Sequence, residues 1–131
     1  MKLTTKSRYG LRCMVQLADS STIQSARDLS EKQAIELKYV ESIMSSLVKA
    51  KLVKVKRGKS GGYSLAYPDD TISAYDVILA LEKQDSIVSK SSYEDQLSRL
   101  IRSKLWYQID NDTKNYLSKI SLSDLKKRTA V

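Results

Sequence analysis

Histidine and phenylalanine are absent from this 131-residue chain, and cysteine occurs once, at Cys13. Each absence removes a class of chemistry. Without histidine the commonest general base is missing, so Ser–His and Cys–His nucleophilic pairs cannot be built. One cysteine without histidine rules out an intrachain disulfide and a Cys/His zinc site within one chain. Adjacent carboxylates occur at Asp69/Asp70 and Glu94/Asp95. Neighbouring residues on a loop or helix point apart, so these are expected to be solvated acids. No glycine-rich loop of the phosphate-cradling type is present. Catalysis is not expected.

Proline occurs once and glycine four times, too few for a disordered or fibrous chain, and the 41% apolar share can fill a core. Eight tyrosines stand in for the missing phenylalanine, so polar-tipped rings serve wherever aromatics are needed. No run approaches the roughly 18 apolar residues that a membrane span requires. Met1-Lys2-Leu3 leads into polar residues, without the apolar stretch of a signal peptide. A cytoplasmic protein with no membrane partner is the expectation. The length suits one domain, or a small domain with a dimerisation element.

The charge is unevenly placed. Residues 1–62 carry 13 Lys/Arg against 5 Asp/Glu, whereas residues 63–131 carry 10 of each. The excess peaks at Lys49, Lys51, Lys54, Lys56, Arg57 and Lys59, with no acid among them. That run straddles the end of an amphipathic helix and a strand–turn–strand pattern. A basic hairpin behind such a helix outlines a winged helix-turn-helix, which suits a grooved polyanion. Double-stranded DNA is the expected partner.

Thr4 or Thr5 can cap a first helix whose apolar face reads Leu11, Met14, Val15, Ala18. Ser25 with Asp28, then Ser30 with Gln33, form overlapping capping signals for a second helix around Ala26–Gln33. A third helix spans residues 37–50, with Val40, Ile43, Met44, Leu47 and Val48 inward. From Leu52 the period falls to two, so Val53 and Val55 oppose Lys54 and Lys56. Gly58, Gly61 and Gly62 supply a turn, and Tyr63 and Leu65 the return strand. Ser73 and Asp76 box a fourth helix with Val77, Ile78 and Leu81 inward.

Residues 83–92 read as a connecting loop. Beyond it Leu97, Leu100, Ile101, Leu105 and Ile109, then more weakly Tyr116, Leu117 and Ile120, stripe one long helix, with a kink or break expected near Asp110-Asn111-Asp112. A small domain cannot cover such a stripe alone, so homodimerisation is the expected outlet and packing back on the same chain the alternative. Ser121 with Asp124 starts a short last helix over residues 122–127. The fold class is therefore mainly α with a small β-hairpin wing. The divisions are a winged helix-turn-helix domain over residues 1–82, the connecting loop, and a dimerisation helix with a short terminal helix over 93–131.

Met1-Lys2-Leu3-Thr4-Thr5-Lys6-Ser7-Arg8-Tyr9-Gly10 resembles the N-terminus of the Rrf family of bacterial winged-helix transcription regulators. Tyr39-Val40-Glu41-Ser42-Ile43 resembles its Tyr-Leu-Glu-Gln-Ile recognition-helix motif. Leu52-Val53 and then Arg57-Gly58-Lys59-Ser60-Gly61-Gly62-Tyr63-Ser64-Leu65 resemble its wing motif, Arg-Gly-x-x-Gly-Gly-Tyr-x-Leu. The resemblance covers residues 1–82 and continues weakly through Leu105-Trp106. It implies a homodimeric, sequence-specific repressor, with a charge-driven architectural DNA-binding protein as the rival class.

The chain departs from the family's pattern at three places. Cluster-binding members place three cysteines in the loop that corresponds to residues 83–92, which here has none. Iron–sulfur ligation needs thiolates, so no cluster and no other cofactor is expected. Ser42 replaces the usual Gln and shortens reach toward base edges. Lys51 stands where the family has a helix-ending Gly, at a conformational cost of about 1 kcal/mol for a left-handed cap.

The resemblance and the chemistry together assign candidate DNA contacts. Arg57, with Gly58 and Lys59 on the wing, is placed to enter a minor groove; the alternative is a solvated hairpin charge. Lys38, Tyr39, Glu41 and Ser42 lie near the start of the recognition helix, where Glu41 can accept from cytosine N4. Lys6, Arg8 and Tyr9 suit phosphate clamps that fix register. Cys13 is either a small buried hydrophobe or a redox switch. Trp106 and Tyr107 suit a dimer contact or an effector pocket. The effector itself, a small molecule or a protein, is not legible.

Overall fold

The computed structural model describes residues 3–82 and 95–126. The loop expected over residues 83–92, Glu94, and Lys127 at the end of the last expected helix lie outside the described residues. The first helix, α1 (Thr5–Asp19), starts where Thr4 Oγ1 accepts the Ser7 N–H at 3.3 Å. Its buried face is Ser7, Gly10, Cys13, Met14 and Leu17, whereas Leu11, Val15 and Ala18 are only partly covered. The face is rotated from the expected one because small residues, not large apolar ones, line the closest approach. A methyl group on Gly10 would come 2.1 Å from Leu81 Cδ1. Glu82, at the end of the fourth helix, accepts the Thr4 and Ser7 hydroxyls and ties that helix to the start of α1.

Helix α2 (Ala26–Gln33) opens with the expected capping box: Ser25 Oγ accepts the Asp28 N–H at 3.0 Å and Asp28 accepts the Ser25 N–H at 2.9 Å. Those bonds to the carboxylate hold the Asp28 pKa below its ordinary value. Ser30 is not a second cap; its hydroxyl donates to the Ile35 carbonyl and closes the helix end. Helix α3 (Leu37–Lys49) buries Val40, Ile43, Met44 and Leu47. Both turns flanking α3 hold a non-glycine residue in the left-handed region, Ala34 at φ 55° and Lys51 at φ 64°.

Strands β1 (Val53–Lys56) and β2 (Gly62–Leu65) pair antiparallel, with Val53 opposite Leu65 and Val55 opposite Tyr63. Val53 is buried, but Val55 lies further out on the wing and is exposed. The loop before α2 adds one more rung, the Tyr63 N–H donating to the Gln24 carbonyl at 2.7 Å and the Gln24 N–H to the Tyr63 carbonyl at 3.1 Å. A side chain at Gly62 would collide with that Gln24 carbonyl at 2.5 Å, so this glycine is required by close approach. After a 3-10 turn at Asp69–Thr71, helix α4 (Ala74–Leu81) begins with the expected Ser73/Asp76 capping box.

The long helix is continuous through Asp110-Asn111-Asp112, where a kink or break was expected; there Gln108 donates to Asp112 at 3.3 Å across one turn. Its irregularity falls earlier. Helix α5 (Gln96–Ile101) passes into a π-helical turn, Arg102–Trp106, and then helix α6 (Tyr107–Ser118). Leu97, Leu100, Ile101 and Leu105 are 62%, 49%, 37% and 46% exposed. Tyr116 is also exposed, so it does not extend a covered stripe. Helix α6 packs on α4, where the Lys114 ammonium stands 5.6 Å from the centre of the Tyr75 ring. Helix α7 (Leu122–Leu125) places Leu122 in the core with Cys13, Met14 and Ile72, so the winged domain's core draws one residue from beyond position 82.

The two left-handed positions generate a stability test. Ala34→Gly and Lys51→Gly each relieve a Cβ clash in the αL region, an effect offset in part by the greater entropy of unfolded glycine. A gain of about 0.5–1 kcal/mol per substitution is expected in urea unfolding. A lowered midpoint in both variants would contradict the strain.

Candidate nucleic-acid interface

The burial of one side of α3 leaves Lys38, Glu41, Ser42, Ser45 and Lys49 exposed on the other. Helix α1 meets this face at two points. The Tyr9 and Tyr39 rings pack edge to face, with centroids 5.8 Å apart at 72°. Lys6 Nζ donates to Ser46 Oγ at 3.2 Å, and Ser46 Oγ donates to the Ser42 carbonyl at 3.3 Å. Lys6 therefore lies over the middle of α3. Arg8 stays exposed at the first turn of α1, its guanidinium donating to Thr5 Oγ1 at 3.4 Å.

The wing follows α3 directly, its first strand beginning at Val53. Burial raises the Tyr63 pKa, the negative charge of Glu41 raises it further, and the positive charge of Arg57 lowers it. One ring on β2 thus feels both the recognition-helix acid and the wing arginine. Gly58 turns the hairpin at φ 107°, a conformation that favours glycine, and keeps Arg57 and Lys59 exposed at the tip. Lys49, Lys51, Lys54, Lys56, Arg57 and Lys59 are all exposed, and none is ion-paired among the described residues. Their field is left unneutralised, as a phosphate-binding surface requires.

A chain of amides steadies this arrangement from behind. Arg12 Nε donates to Gln33 at 3.0 Å, Gln33 to Gln16 at 2.6 Å, and Gln16 to Gln24, the residue paired with the wing, at 3.0 Å. Neither this chain nor the Ser46 contact emerged from the sequence. Ser46 lies one turn beyond Ser42, which is the only signal that could have indicated it.

Cys13 lies apart from this surface. It is fully buried, and burial pushes its thiol up to about 11, with Arg12 countering only in part. A thiol so placed is almost wholly protonated at neutral pH, which favours the packing reading over a redox switch.

Residues 3–128 match the Rrf2 family, described as iron-dependent transcriptional regulators. The HTH-type transcriptional regulator CymR of Bacillus subtilis is 35% identical over 131 residues, covering 98% of this chain and 92% of CymR. IscR of Vibrio vulnificus is 35% identical over 130 residues, covering 95% of this chain and 77% of IscR. The solved structure of B. subtilis CymR, the global cysteine regulator of that organism, superposes with a TM-score of 0.79 over 95% of both chains. T. potens IscR, 28% identical, superposes at 0.74 over 95% of this chain and 85% of that one.

A cluster held by the thiolates of one chain needs several cysteines, and this sequence has one. Cys13 is the sole thiol and is buried with a raised pKa, histidine is absent, and the described residues form no group of three His, Cys, Asp or Glu that could hold a metal. Among the described residues no helix is long and apolar enough to cross a membrane. The recognition helix, the basic wing and the match over residues 3–128 together establish that this chain belongs to the Rrf2 family of helix-turn-helix, DNA-binding transcriptional regulators.

Proposed function

We propose that the protein is a cytoplasmic, homodimeric repressor that reads the major groove with α3 and the minor groove with the wing, and that it works without an iron–sulfur cluster. The observation that carries the reading is the exposed polar face of α3, which carries Lys38, Glu41 and Ser42, together with an exposed basic wing that holds Arg57 at its tip. An acid on a DNA-reading face opposes charge-only binding, so the exposed Glu41 on α3 supports base reading. Repression is the sense that the family resemblance implies: a dimer seated on the duplex excludes other proteins from that stretch. The exposed Leu97, Leu100, Ile101 and Leu105 support a dimer, because large apolar side chains left open along one helix find their cover in a second copy. The single buried thiol supports the cluster-free state.

Titration on a selected site and a scrambled site at several salt concentrations tests base reading. Arg57→Ala should cost about 1–3 kcal/mol on the selected site, most with A·T-rich flanks. Glu41→Ala should keep or raise affinity for the scrambled site while relaxing base preference. Lys6→Ala should weaken both sites alike and reduce the salt slope by about one unit. Uniform loss from all three, with an unchanged specificity ratio, would overturn the sequence-reading mechanism.

Light scattering tests the dimer. The wild type should be dimeric at tens of micromolar, and the double substitution Ile101→Lys and Leu105→Lys should yield monomers. A fully dimeric double variant would refute the helix interface. Anaerobic reconstitution with iron and sulfide should leave the protein colourless. A stoichiometric chromophore that depends on Cys13 would show a ligand set shared between subunits.

A further inference from the structure

The winged domain is joined to the long helix at three places. One is the covalent path from Glu82 through residues 83–94 to Asp95. A second is the packing of α6 on α4, with Lys114 over the Tyr75 ring. The third is made by α7, which docks on the winged domain after the chain leaves α6. The Ala74 N–H donates to the Ile120 carbonyl at 2.8 Å and the Leu122 N–H to the Ile72 carbonyl at 2.9 Å, so Ser73 and Ser121 face each other across an antiparallel bridge. Both serines are N-caps with complete capping boxes, Ser73 for α4 and Ser121 for α7, so two helix starts are locked back to back. Leu122 is 0% exposed within the winged-domain core, and Lys126 pairs with Asp69 at 2.7 Å. A backbone bridge, a buried side chain and an ion pair therefore hold one short segment. None of them involves the DNA-facing Lys6, Tyr39, Glu41 or Arg57.

We propose that this C-terminal strap is a specificity element, with Leu122 as its positioning residue: it fixes the recognition helix relative to the long helix and thereby sets the half-site spacing that the dimer accepts. The inference rests on the dimeric, sequence-reading regulator proposed above. In a dimer the two recognition helices are separated by two such arms. Inserting one base pair rotates a half-site by about 34–36° around the duplex axis as well as displacing it. A domain without the α7 docking can swing about the α4–α6 contact to follow that rotation. A domain held by the strap as well cannot, and the mismatch appears as lost affinity.

The test uses the full chain, its selected site, versions with the half-sites moved by one and two base pairs, and an isolated half-site. The wild type should lose about tenfold in affinity per base pair of altered spacing. Leu122→Ala should flatten that loss to about threefold or less while binding the isolated half-site within about twofold of wild type and remaining dimeric by light scattering. If Leu122→Ala does not fold, Ser73→Cys/Ser121→Cys in a Cys13→Ser background replaces it, because a pair at this kind of bridge has Cα atoms about 4.5 Å apart, within disulfide reach. The oxidised protein should keep the wild-type spacing profile, and the reduced one, lacking both caps, should accept altered sites at least about threefold better. Identical profiles for wild type and Leu122→Ala, or for the oxidised and reduced pair, overturn the proposal and leave the dimer reading intact. A monomeric wild type removes both.

Discussion

The exposed polar face of α3 depends on the burial of its opposite side. Val40, Ile43, Met44 and Leu47 are each fully excluded from water. Burying side chains of this size is worth about 1.5–3 kcal/mol apiece, so the four together far outweigh any single surface contact. Because a helix repeats every 3.6 residues, the same burial dictates that Lys38, Glu41, Ser42, Ser45 and Lys49 point outward. Rotating α3 by one residue would expose the stripe and bury charge. The orientation of this polar face is thus enforced by the core, and the polar contacts at its rim refine it.

Those rim contacts come from both sides. Tyr9 packs on Tyr39, Lys6 reaches Ser46, and Gln24 joins the wing to the amide chain that runs through Gln16 and Gln33 to Arg12. Each is modest alone, since a typical hydrogen bond contributes about 0.5–1.5 kcal/mol net. Together they tie α1 to α3 and α1 to the loop that pairs with the wing. Lys51 shows a competing demand. Its left-handed backbone costs stability, yet it adds one more charge to the basic face and a cation at the end of α3. Stability is traded for charge at that turn.

The long helix follows a different logic. Its second half is anchored through α4 and α7, while Leu97, Leu100, Ile101 and Leu105 in its first half stay open. The π-helical turn at Arg102–Trp106 lies within this open half. Inserting an extra residue into the helical repeat re-aims the side chains that follow it, so a stripe counted at constant 3.6 spacing drifts out of register there. Spacing located the helix, but a polar run such as Asp110-Asn111-Asp112 continues helically where it faces water, and the irregularity falls at the π-helical turn instead.

What the chain announces by itself is local. The span of α2, the Ser25/Asp28, Ser73/Asp76 and Ser121/Asp124 capping boxes, the buried stripe of α3 and the basic glycine-hinged wing all depend on residues within a few positions of one another. Caps, periods and turns have residue-level causes at that range, so composition and spacing sufficed, and the motif resemblance extended them to a family and a set of candidate DNA contacts. Tertiary structure decided the rest. The Lys6–Ser46 contact spans 40 positions and the Ser7–Glu82 contact 75. The insertion of Leu122 into the core beside Cys13 and Met14 likewise bridges distant parts of the chain. No periodicity encodes such pairings. They arise when the buried faces of several helices must share one close-packed interior, and the cheapest way to fill it selects which remote side chains meet.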